Sequence, residues 1–495
     1  MTPYDALTRR FARLSALREA AGMLHWDMAS MMPAGGAEAR GEQLAALDLV
    51  CHDLLSDPAM ADLFAATDAA DGLEPWRDAN LRAMRRVWLH ETALNPALVE
   101  AMTRARHTCE MAWRQARPAG DFAAVLPALE ALLALVREVA AAKAEALGLA
   151  PYDALLDEYE PGGSAARIDE IFGGLAAFLP GFLARVLERQ AAAPAPLAPP
   201  GPFPVAAQEA LARRLMRAVG FDFDHGRLDT SLHPFCGGVP DDVRITTRYD
   251  EADFTTAIMG VLHETGHAMY ERGLPRAWRR QPVGEACGMA IHESQSLLIE
   301  MQACRSASFM GFMAPLAREA FGGDGPAWAP DNLLRRALRV EPGLIRVDAD
   351  EVTYPAHVIL RYRLETRMIA GDLAPRDLPG AWNEGMEELL GIRPPDDRLG
   401  CLQDIHWYDG AWGYFPTYTL GAMAAAQLFA AAKAAVPEIP AAIGRGDFAP
   451  LMGWLREHVH ALGSFYTTDD LLEHATGRPL DPKVFEAHLS ARYLP

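Results

Sequence analysis

Residues 261–267 read VLHETGH and carry the strongest structural signal in this 495-residue chain. Two histidines stand four residues apart with a glutamate directly after the first, which is the HEXXH spacing. Because residues four apart lie one above the other on a helix, His263 and His267 can each offer a ring nitrogen to one metal ion. Glu264 then lies beside the ion, where it can take a proton from a metal-bound water. The motif predicts a helix with a metal site and a general base.

The sequence around the motif is apolar. It includes Ala257, Ile258, Val261, Leu262, Ala268 and Met269. This composition predicts a largely buried helix, in which two histidines and a glutamate need partners because unpaired buried polar groups are costly. A pair of core histidines satisfied by hydrogen bonds is the alternative. The motif and its context favour the metal site.

A catalytic zinc site usually has three protein ligands, so a third is needed. The best candidate is Glu293, in the apolar run GEACGMAIHESQSLL at 284–298, whose small residues would let two helices approach closely. The residues between the motif and Glu293 suffice to finish one helix, turn and return antiparallel. Glu285 and Glu300 are weaker candidates because they lie nearer the ends of the run. A helix carboxylate that faces water or an arginine is the alternative for Glu293.

Motifs along the chain are similar to those of a known family. HETGH at 263–267 followed by HESQ at 292–295 resembles the carboxypeptidase Taq family of thermostable HEXXH metallocarboxypeptidases. Further similar stretches are WD at 26–27, MP at 32–33, YDALLD at 152–157, HPF at 233–235, DVRIT at 242–246, IRVDADEVTY at 345–354 and GCLQDIHW at 400–407. The similarity spans nearly the whole chain, without departure at the metal or base positions.

The resemblance implies a fold, a metal and an assembly. We expect a mainly α, large helical metallopeptidase fold with a deep substrate groove and a small β-sheet near the metal site. The resemblance implies Glu293 as the third ligand of one divalent metal per chain, either zinc or cobalt. It also implies a homodimer, broad side-chain specificity and a poor response to a terminal proline.

Composition and charge narrow the class of protein. Half of the residues are hydrophobic, which supports a large core. The formal net charge of −20 argues against nucleic acid and anionic membrane as partners, because these bind basic surfaces. No signal-like N-terminus and no uncharged apolar run of about 18 residues occur, so we expect a cytoplasmic protein. Six scattered cysteines predict neither a disulfide framework nor a zinc ribbon.

Helix-forming residues dominate the chain. Residues 37–54, 123–147 and 205–218 combine helical apolar spacing with strong helix formers. The best strand lies around 244–249, where β-branched and aromatic residues follow a Gly-Gly-Val-Pro turn. The sequence thus predicts a small sheet beside the metal site, and that sheet would resemble the edge strand along which other HEXXH peptidases align a peptide backbone.

Prolines interrupt the helical pattern at 191–204, which reads AAAPAPLAPPGPFP. So many prolines favour an extended connector, although a surface loop within one fold is equally compatible. We expect an N-terminal helical lobe over 1–190 and a metal-binding catalytic lobe over 205–495. Because family motifs occur on both sides, the interpretation is one functional unit over 1–495.

A carboxypeptidase needs a fixed cation for the free terminal carboxylate of its substrate, and arginine suits this task through its paired donors. Arg346, in an extended-looking segment, is the first candidate, and Arg244, on the predicted strand, is the second. The family resemblance supports both segments as substrate-binding. A surface or ion-paired arginine is the usual alternative.

A run rich in aromatic residues follows at 403–418. Candidates for stabilising the charge that builds on the scissile carbonyl oxygen are His406, Tyr414 and Tyr418. Gln403 is a further substrate-binding candidate, and Asp404 or Asp350 would orient a metal-bound imidazole. Ordinary packing with satisfied hydroxyls is the alternative for the tyrosines.

These features predict a metal-dependent carboxypeptidase that removes C-terminal residues from peptides, through metal-activated water and Glu264 as general base. An HEXXH oligoendopeptidase that lacks a carboxylate anchor is the alternative enzyme. A metal-stabilised helical scaffold that binds peptides without cutting them belongs to a different class.

Overall fold

Helices dominate the computed structural model, which describes residues 2–69 and 72–495. Within these residues the α-helices are α1 Pro3–Ser30, α2 Ala37–Ser56, α3 Ala59–Asp68, α4 Pro75–Thr92, α5 Pro96–Ala119, α6 Phe122–Leu147, α7 Pro151–Leu156, α8 Ala165–Ala191, α9 Val205–Val219, α10 Phe254–Gly273, α11 Met289–Leu297, α12 Ala307–Phe321, α13 Pro330–Ala337, α14 Tyr354–Ala370, α15 Leu378–Leu390, α16 Pro416–Ala435, α17 Ile439–Ile443, α18 Ala449–His458, α19 Thr468–Thr476 and α20 Pro482–Tyr493. The mainly α fold class is confirmed. The helices predicted at 37–54, 123–147 and 205–218 are α2, α6 and α9.

Three short strands form one sheet in the order β1-β3-β2. The strands are β1 Gly226–Thr230, β2 Phe235–Val239 and β3 Asp242–Thr247. β3 pairs in parallel with β1 and antiparallel with β2, so that Ile245 lies opposite Leu228 on one side and Cys236 on the other. The strand predicted at 244–249 is therefore the central one, and the edges belong to β1 and β2. Both β2 and β3 pack against α10, which carries the HETGH motif.

The chain divides into two compact units, each made of three segments. The first unit contains Met1–Glu91, Pro196–Ala337 and Ala424–Leu480, and the second contains Thr92–Ala195, Leu338–Met423 and Asp481–Pro495. One boundary falls inside the proline-rich stretch, between residues 195 and 196. The division into lobes at 190 and 205 stays a prediction.

In the first unit, α1 to α4 share a hydrophobic core. Its buried members are Tyr4, Leu7, Phe11, Leu14, Cys51, Leu55, Met60, Phe64, Leu81 and Met84. α10 starts at an N-cap, where the Asp253 side chain accepts hydrogen bonds from the backbone N–H groups of Thr255 and Thr256. α9, α11 and β3 pack around α10 and bury most of its side chains. The polar residues of its motif therefore lie in surroundings of low dielectric constant.

In the second unit, α8 is the one helix of the described residues whose length and apolar composition would suffice to cross a membrane. Its buried face includes Ile168, Ile171, Phe172, Leu175 and Leu179. This face packs against α14, α15 and α20, as in the core helix of a globular protein. The six cysteines of the whole chain are free thiols.

Candidate active site

Two adjacent helices of the first unit carry the predicted metal ligands. α10 carries His263, Glu264 and His267, and α11 carries Glu293. The helices approach so closely at Gly266 that a Cβ atom there would lie 2.4 Å from the carbonyl oxygen of Gln295 and 2.6 Å from the Cα of the next residue. Only glycine permits this approach, because a side chain would collide with backbone atoms. The glycine thus lets Glu293 reach the two histidines.

The ligand atoms converge on one point. The Nε2 atom of His263 lies 3.9 Å from Oε1 of Glu293, and the Nε2 atom of His267 lies 3.6 Å from Oε2 of the same carboxylate. One ligand atom from each of the three residues can be chosen so that all lie within 4.8 Å of one another. Donors at roughly 2.0–2.2 Å from a shared ion in tetrahedral geometry would be about 3.3–3.6 Å apart, so the separations of 3.9 and 3.6 Å require only small shifts for binding. Two imidazoles and a carboxylate in this arrangement fit a divalent metal.

Glu264 is buried next to these residues. Burial raises the pKa of its carboxyl to about 7, and the neighbouring His263 opposes the shift. A group with such a pKa can both take and return a proton near neutral pH. Its environment is therefore suited to a general base.

Glu300 supports the first histidine. Its Oε2 lies 3.0 Å from Nδ1 of His263, and its Oε1 accepts a hydrogen bond of 2.6 Å from Nη2 of Arg305. Burial opposes ionisation of Glu300, but Arg305 and His263 hold its pKa below the usual value. Glu300 lies in the π-helical turn Leu298–Cys304 that continues α11. The sequence analysis ranks Glu300 only as a weaker ligand candidate. Its spacing of seven residues from Glu293 would place both carboxylates on the same face of a regular helix.

His292 supports the second histidine. Its ring stacks on His267 with a centroid distance of 4.6 Å, and its Nε2 lies 2.9 Å from Oε1 of Glu271. Glu271 stands one helical turn after His267 on α10. The sequence analysis assigns no role to His292, because its contact with His267 joins two different helices.

Arg244 lies on β3, in the same unit as the metal ligands. Its Nε and Nη2 donate to the carboxylate of Asp242 at 3.1 and 2.7 Å, and its guanidinium covers the ring of Trp26 at 4.5 Å. The side chain is 20% exposed. Arg244 thus forms a one-to-one ion pair at the surface of the sheet.

Arg346 lies in the second unit, in the turn Arg346–Asp348. Nε and Nη2 of Arg346 donate to Oδ1 of Asp404 at 3.1 and 2.8 Å, and Nε of Arg361 donates to Oδ2 at 2.6 Å. Burial alone would raise the pKa of Asp404, but these two arginines hold that pKa well below its usual range. Two guanidinium groups therefore share one carboxylate, and one positive charge is left over.

His406, Tyr414 and Tyr418 lie together beside this cluster. The Nε2 atom of His406 is 3.1 Å from the hydroxyl of Tyr418, and the rings of Tyr414 and Tyr418 are 5.2 Å apart. Tyr418 also lies 4.6 Å under the guanidinium of Arg346. Burial lowers the pKa of His406 to about 4, so the imidazole is neutral at neutral pH.

Gln403 holds the Arg346 turn in place. Its Oε1 accepts a hydrogen bond of 2.9 Å from the backbone N–H of Arg346, and its Nε2 donates to the carbonyl oxygens of Leu344 and Leu399 at 3.0 and 3.1 Å. Asp404 is occupied by arginines, and Asp350 accepts hydrogen bonds from the backbone N–H groups of Val352 and Thr353. The carboxylate that contacts Nδ1 of His263 belongs to Glu300, and not to Asp404 or Asp350 as the sequence analysis expects.

Known proteins are similar to this chain in sequence and structure. A family model described as carboxypeptidase Taq (M32) metallopeptidase matches residues 6–493. The sequence is 39% identical to thermostable carboxypeptidase 1 of Thermus thermophilus, covering 100% of this chain and 99% of that protein. The structure is similar to Trypanosoma cruzi metallocarboxypeptidase 1, with a TM-score of 0.97, 44% identity and coverage of 100% of this chain and 99% of that chain. It is also similar to the M32 carboxypeptidase from Deinococcus radiodurans R1, with a TM-score of 0.92, 35% identity and coverage of 100% of both chains.

Proposed function

This chain belongs to the carboxypeptidase Taq (M32) family of metallopeptidases, and on that premise we propose that His263, His267 and Glu293 hold its metal and that Glu264 is its general base. The protein is a metallocarboxypeptidase, which uses a divalent metal and acts on peptides. The observation that carries the proposal is the group of two imidazole nitrogens and one carboxylate oxygen within 4.8 Å of one another, next to a buried glutamate. Three protein donors are typical of catalytic zinc sites, whereas structural sites use four.

Each side chain of the proposed site has a separate role in the hydrolysis of the peptide bond. When bound, the metal acts as a Lewis acid and lowers the pKa of water to about 7. Glu264 takes the proton of the water that attacks the scissile carbonyl and delivers it to the nitrogen of the departing amine. Glu300 accepts the Nδ1–H of His263, which fixes the ring so that Nε2 faces Glu293.

For the terminal carboxylate of the substrate, we propose Arg346 as the anchor. The pair of Arg346 and Arg361 on one Asp404 carries a surplus positive charge, which favours an anionic ligand. Gln403 contributes by holding the backbone of the Arg346 turn. Arg244 is the second candidate, but its charge is already matched by Asp242.

His406, Tyr414 and Tyr418 are proposed to stabilise the negative charge that develops on the carbonyl oxygen. A neutral imidazole and phenol hydroxyls can donate hydrogen bonds to such an oxygen, and preorganised donors of this kind contribute strongly in sites that exclude water. The contact between His406 and Tyr418 supports a preorganised pair.

Zinc is the proposed metal, with cobalt as the other, because both accept two nitrogens and one carboxylate oxygen. A homodimer, a cytoplasmic location and broad specificity complete the proposed description. Elemental analysis of protein purified without added metal identifies the ion, and light scattering after gel filtration measures the oligomeric state.

A pair of peptides tests the terminal carboxylate requirement. The two share one sequence, and one carries a free C-terminal carboxylate while its twin is amidated. Stepwise loss of C-terminal residues from the free peptide, followed by mass spectrometry, is the expected result, and the amide should react at least about 100-fold more slowly since a charged hydrogen-bonded pair is lost. Equal cleavage of both peptides would exclude an anchored carboxypeptidase.

A further inference from the structure

A carboxylate in the core of the second unit has no place in the mechanism described above. Glu365 of α14 is completely buried. It accepts hydrogen bonds from the hydroxyl of Tyr152 at 2.8 Å, from Nε1 of Trp407 at 2.7 Å and from the backbone N–H of Gly413 at 2.8 Å. A phenol, an indole and a backbone amide are all neutral donors. The carboxylate thus lacks a cation in this trio, and burial raises its pKa to about 7 against the effect of these bonds.

The burial of the Glu365 carboxylate is unfavourable for folding unless its hydrogen bonds are needed elsewhere in the structure. A buried carboxylate without a paired cation lowers stability relative to an apolar residue of the same size. An apolar side chain at this position would, however, leave three buried donors without an acceptor, at roughly 1–3 kcal/mol each. Glu365 therefore belongs to the structure of the segment that donates to it.

That segment, residues 401–415, contains neither helix nor strand. Its side chains are nevertheless buried at Trp407, Trp412 and Phe415. A buried irregular segment has no ladder of backbone hydrogen bonds, so its polar groups must be satisfied by side chains from elsewhere. Glu365 meets that need at two points of the segment, Trp407 and Gly413.

The two anchor points hold the segment firmly. Gly413 has φ +91°, and a Cβ atom there would lie 2.8 Å from backbone atoms of Leu155, so the segment is seated directly on α7. Trp407 stacks on Trp412 with a centroid distance of 5.8 Å. His406, the residue next to Trp407, contacts the hydroxyl of Tyr418. The orientation of His406 is thus fixed one residue away from a bond to Glu365.

We infer that Glu365 is a positioning residue that sets the orientation of His406 toward Tyr418 by fixing Trp407 and Gly413. This role rests on the proposed function of His406 and Tyr418 in stabilising the reacting oxygen. Glu365 itself does not touch substrate. It acts through the segment that it holds.

Glu365→Gln tests this positioning role directly, because it changes the hydrogen-bonding groups and keeps a similar shape. A carboxylate can accept all three hydrogen bonds, whereas a carboxamide has one oxygen and an NH2 group that would face a donor. We expect kcat to fall on the order of 10- to 100-fold, since small displacements of catalytic groups have effects of this size. KM should change less than kcat. Hydrogen exchange should rise in peptides from 401–415, while α10 and α11 keep the protection and the metal content of the wild type.

A double-mutant cycle separates positioning from a general structural role. If Glu365 acts through the pair of His406 and Tyr418, then Glu365→Gln combined with Tyr418→Phe should lose no more activity than the more damaged single variant. Multiplying losses would overturn the inference, as would wild-type kcat and exchange in Glu365→Gln. Tyr152→Phe removes one hydrogen-bond donor and keeps the carboxylate, so it should lower kcat by a smaller factor than Glu365→Gln. This variant replaces Glu365→Gln in the test if Glu365→Gln does not fold.

The same experiment separates this inference from the proposed function. If Tyr418→Phe and His406→Asn both leave kcat unchanged, the proposed function of these residues fails, while the exchange measurement on 401–415 still tests whether Glu365 holds the segment. If those variants lose activity but Glu365→Gln does not change exchange in 401–415, the positioning role alone is wrong.

Discussion

His263 and Glu300 are joined by a contact of 3.0 Å between Nδ1 and Oε2, and the other oxygen of Glu300 is bound by Arg305. The carboxylate therefore connects a proposed metal ligand to a fixed cation. With a metal bound at the proposed site, this contact would set the ring orientation and favour the proton on Nδ1, which would leave the Nε2 lone pair for the metal.

Replacing Glu300 with Gln should weaken metal binding about 10- to 100-fold, because second partners of ligating histidines have effects of this size. Competition with a chelator of known affinity measures the change. Glu319→Gln, which alters an exposed ion pair with Arg214, is the matched control and should bind metal like the wild type. Unchanged metal affinity in Glu300→Gln would contradict a supporting role.

Gly266→Ala should separate α10 from α11. Its Cβ atom would lie 2.4 Å from a backbone oxygen that cannot rotate away, so we expect a loss of about 1–3 kcal/mol in the free energy of unfolding together with weaker metal binding. Gly260→Ala on the same helix is the control, because its Cβ atom would meet nothing within 4 Å. That variant should be as stable as the wild type or more stable by up to about 1 kcal/mol. Urea unfolding and elemental analysis measure both effects.

Glu264→Gln should keep the metal and lose turnover. The carboxamide is similar in shape but cannot take a proton, so kcat should fall by a factor of roughly 10² to 10⁴. Metal stoichiometry by elemental analysis is the companion measurement. A variant with full metal content and wild-type kcat would remove Glu264 from the reaction.

Arg346→Lys and Arg244→Lys distinguish the two candidate anchors. Lysine keeps the charge but loses the paired donors of guanidinium, so the variant at the true anchor should show a KM raised about 10-fold or more for the peptide with a free C-terminus. Its activity on the amidated twin should not change. The other variant should resemble the wild type with both peptides. Equal effects on free and amidated peptides would mean that neither arginine recognises the carboxylate.

Acid should destabilise the second unit through Glu351. This buried carboxylate binds His488 and Arg492 at 2.9 Å each and the hydroxyl of Tyr493 at 3.0 Å. Burial alone would raise its pKa, but Arg492 and His488 hold the pKa far below the ordinary 4.5. Because the folded pKa is lowered, the stabilisation is present above pH 4.5 and is lost as the pH falls toward the folded value.

Glu351→Gln should accordingly lower the free energy of unfolding by about 3 kcal/mol at pH 7, because it removes the buried carboxylate that pairs with Arg492. The difference from the wild type should shrink below pH 4. Urea unfolding followed by circular dichroism over pH 3–7 provides the measurement, with the exposed Glu145→Gln as control. A difference that stays constant over this range would show that ionisation of Glu351 does not contribute.

Most of the predictions that agree with the structure rest on patterns within single short stretches of sequence. The helix around His263 and His267 could be predicted because its spacing and apolar surroundings are properties of one short stretch, and the strand at β3 followed from a similarly local signal. Glu300 ranks low in the sequence analysis because it lies near the end of its apolar run, and its contact with His263 joins residues 37 positions apart. The contacts of Glu365 with Trp407 and of Arg361 with Asp404 join residues 42 and 43 positions apart. Such pairs arise from tertiary packing, and residue spacing does not predict them.

The π-helical turn has a consequence for how this site tolerates insertions and deletions. Such a turn contains one residue more than a regular turn. Removing a single residue ahead of Glu300, such as Ile299, without a compensating change in winding would move the carboxylate back by one helix position and rotate it by about 100° around the helix axis. The link to the imidazole would break although every chemically active residue remained. At the proposed metal site, the number of residues in this helix would therefore matter as well as the identity of its side chains.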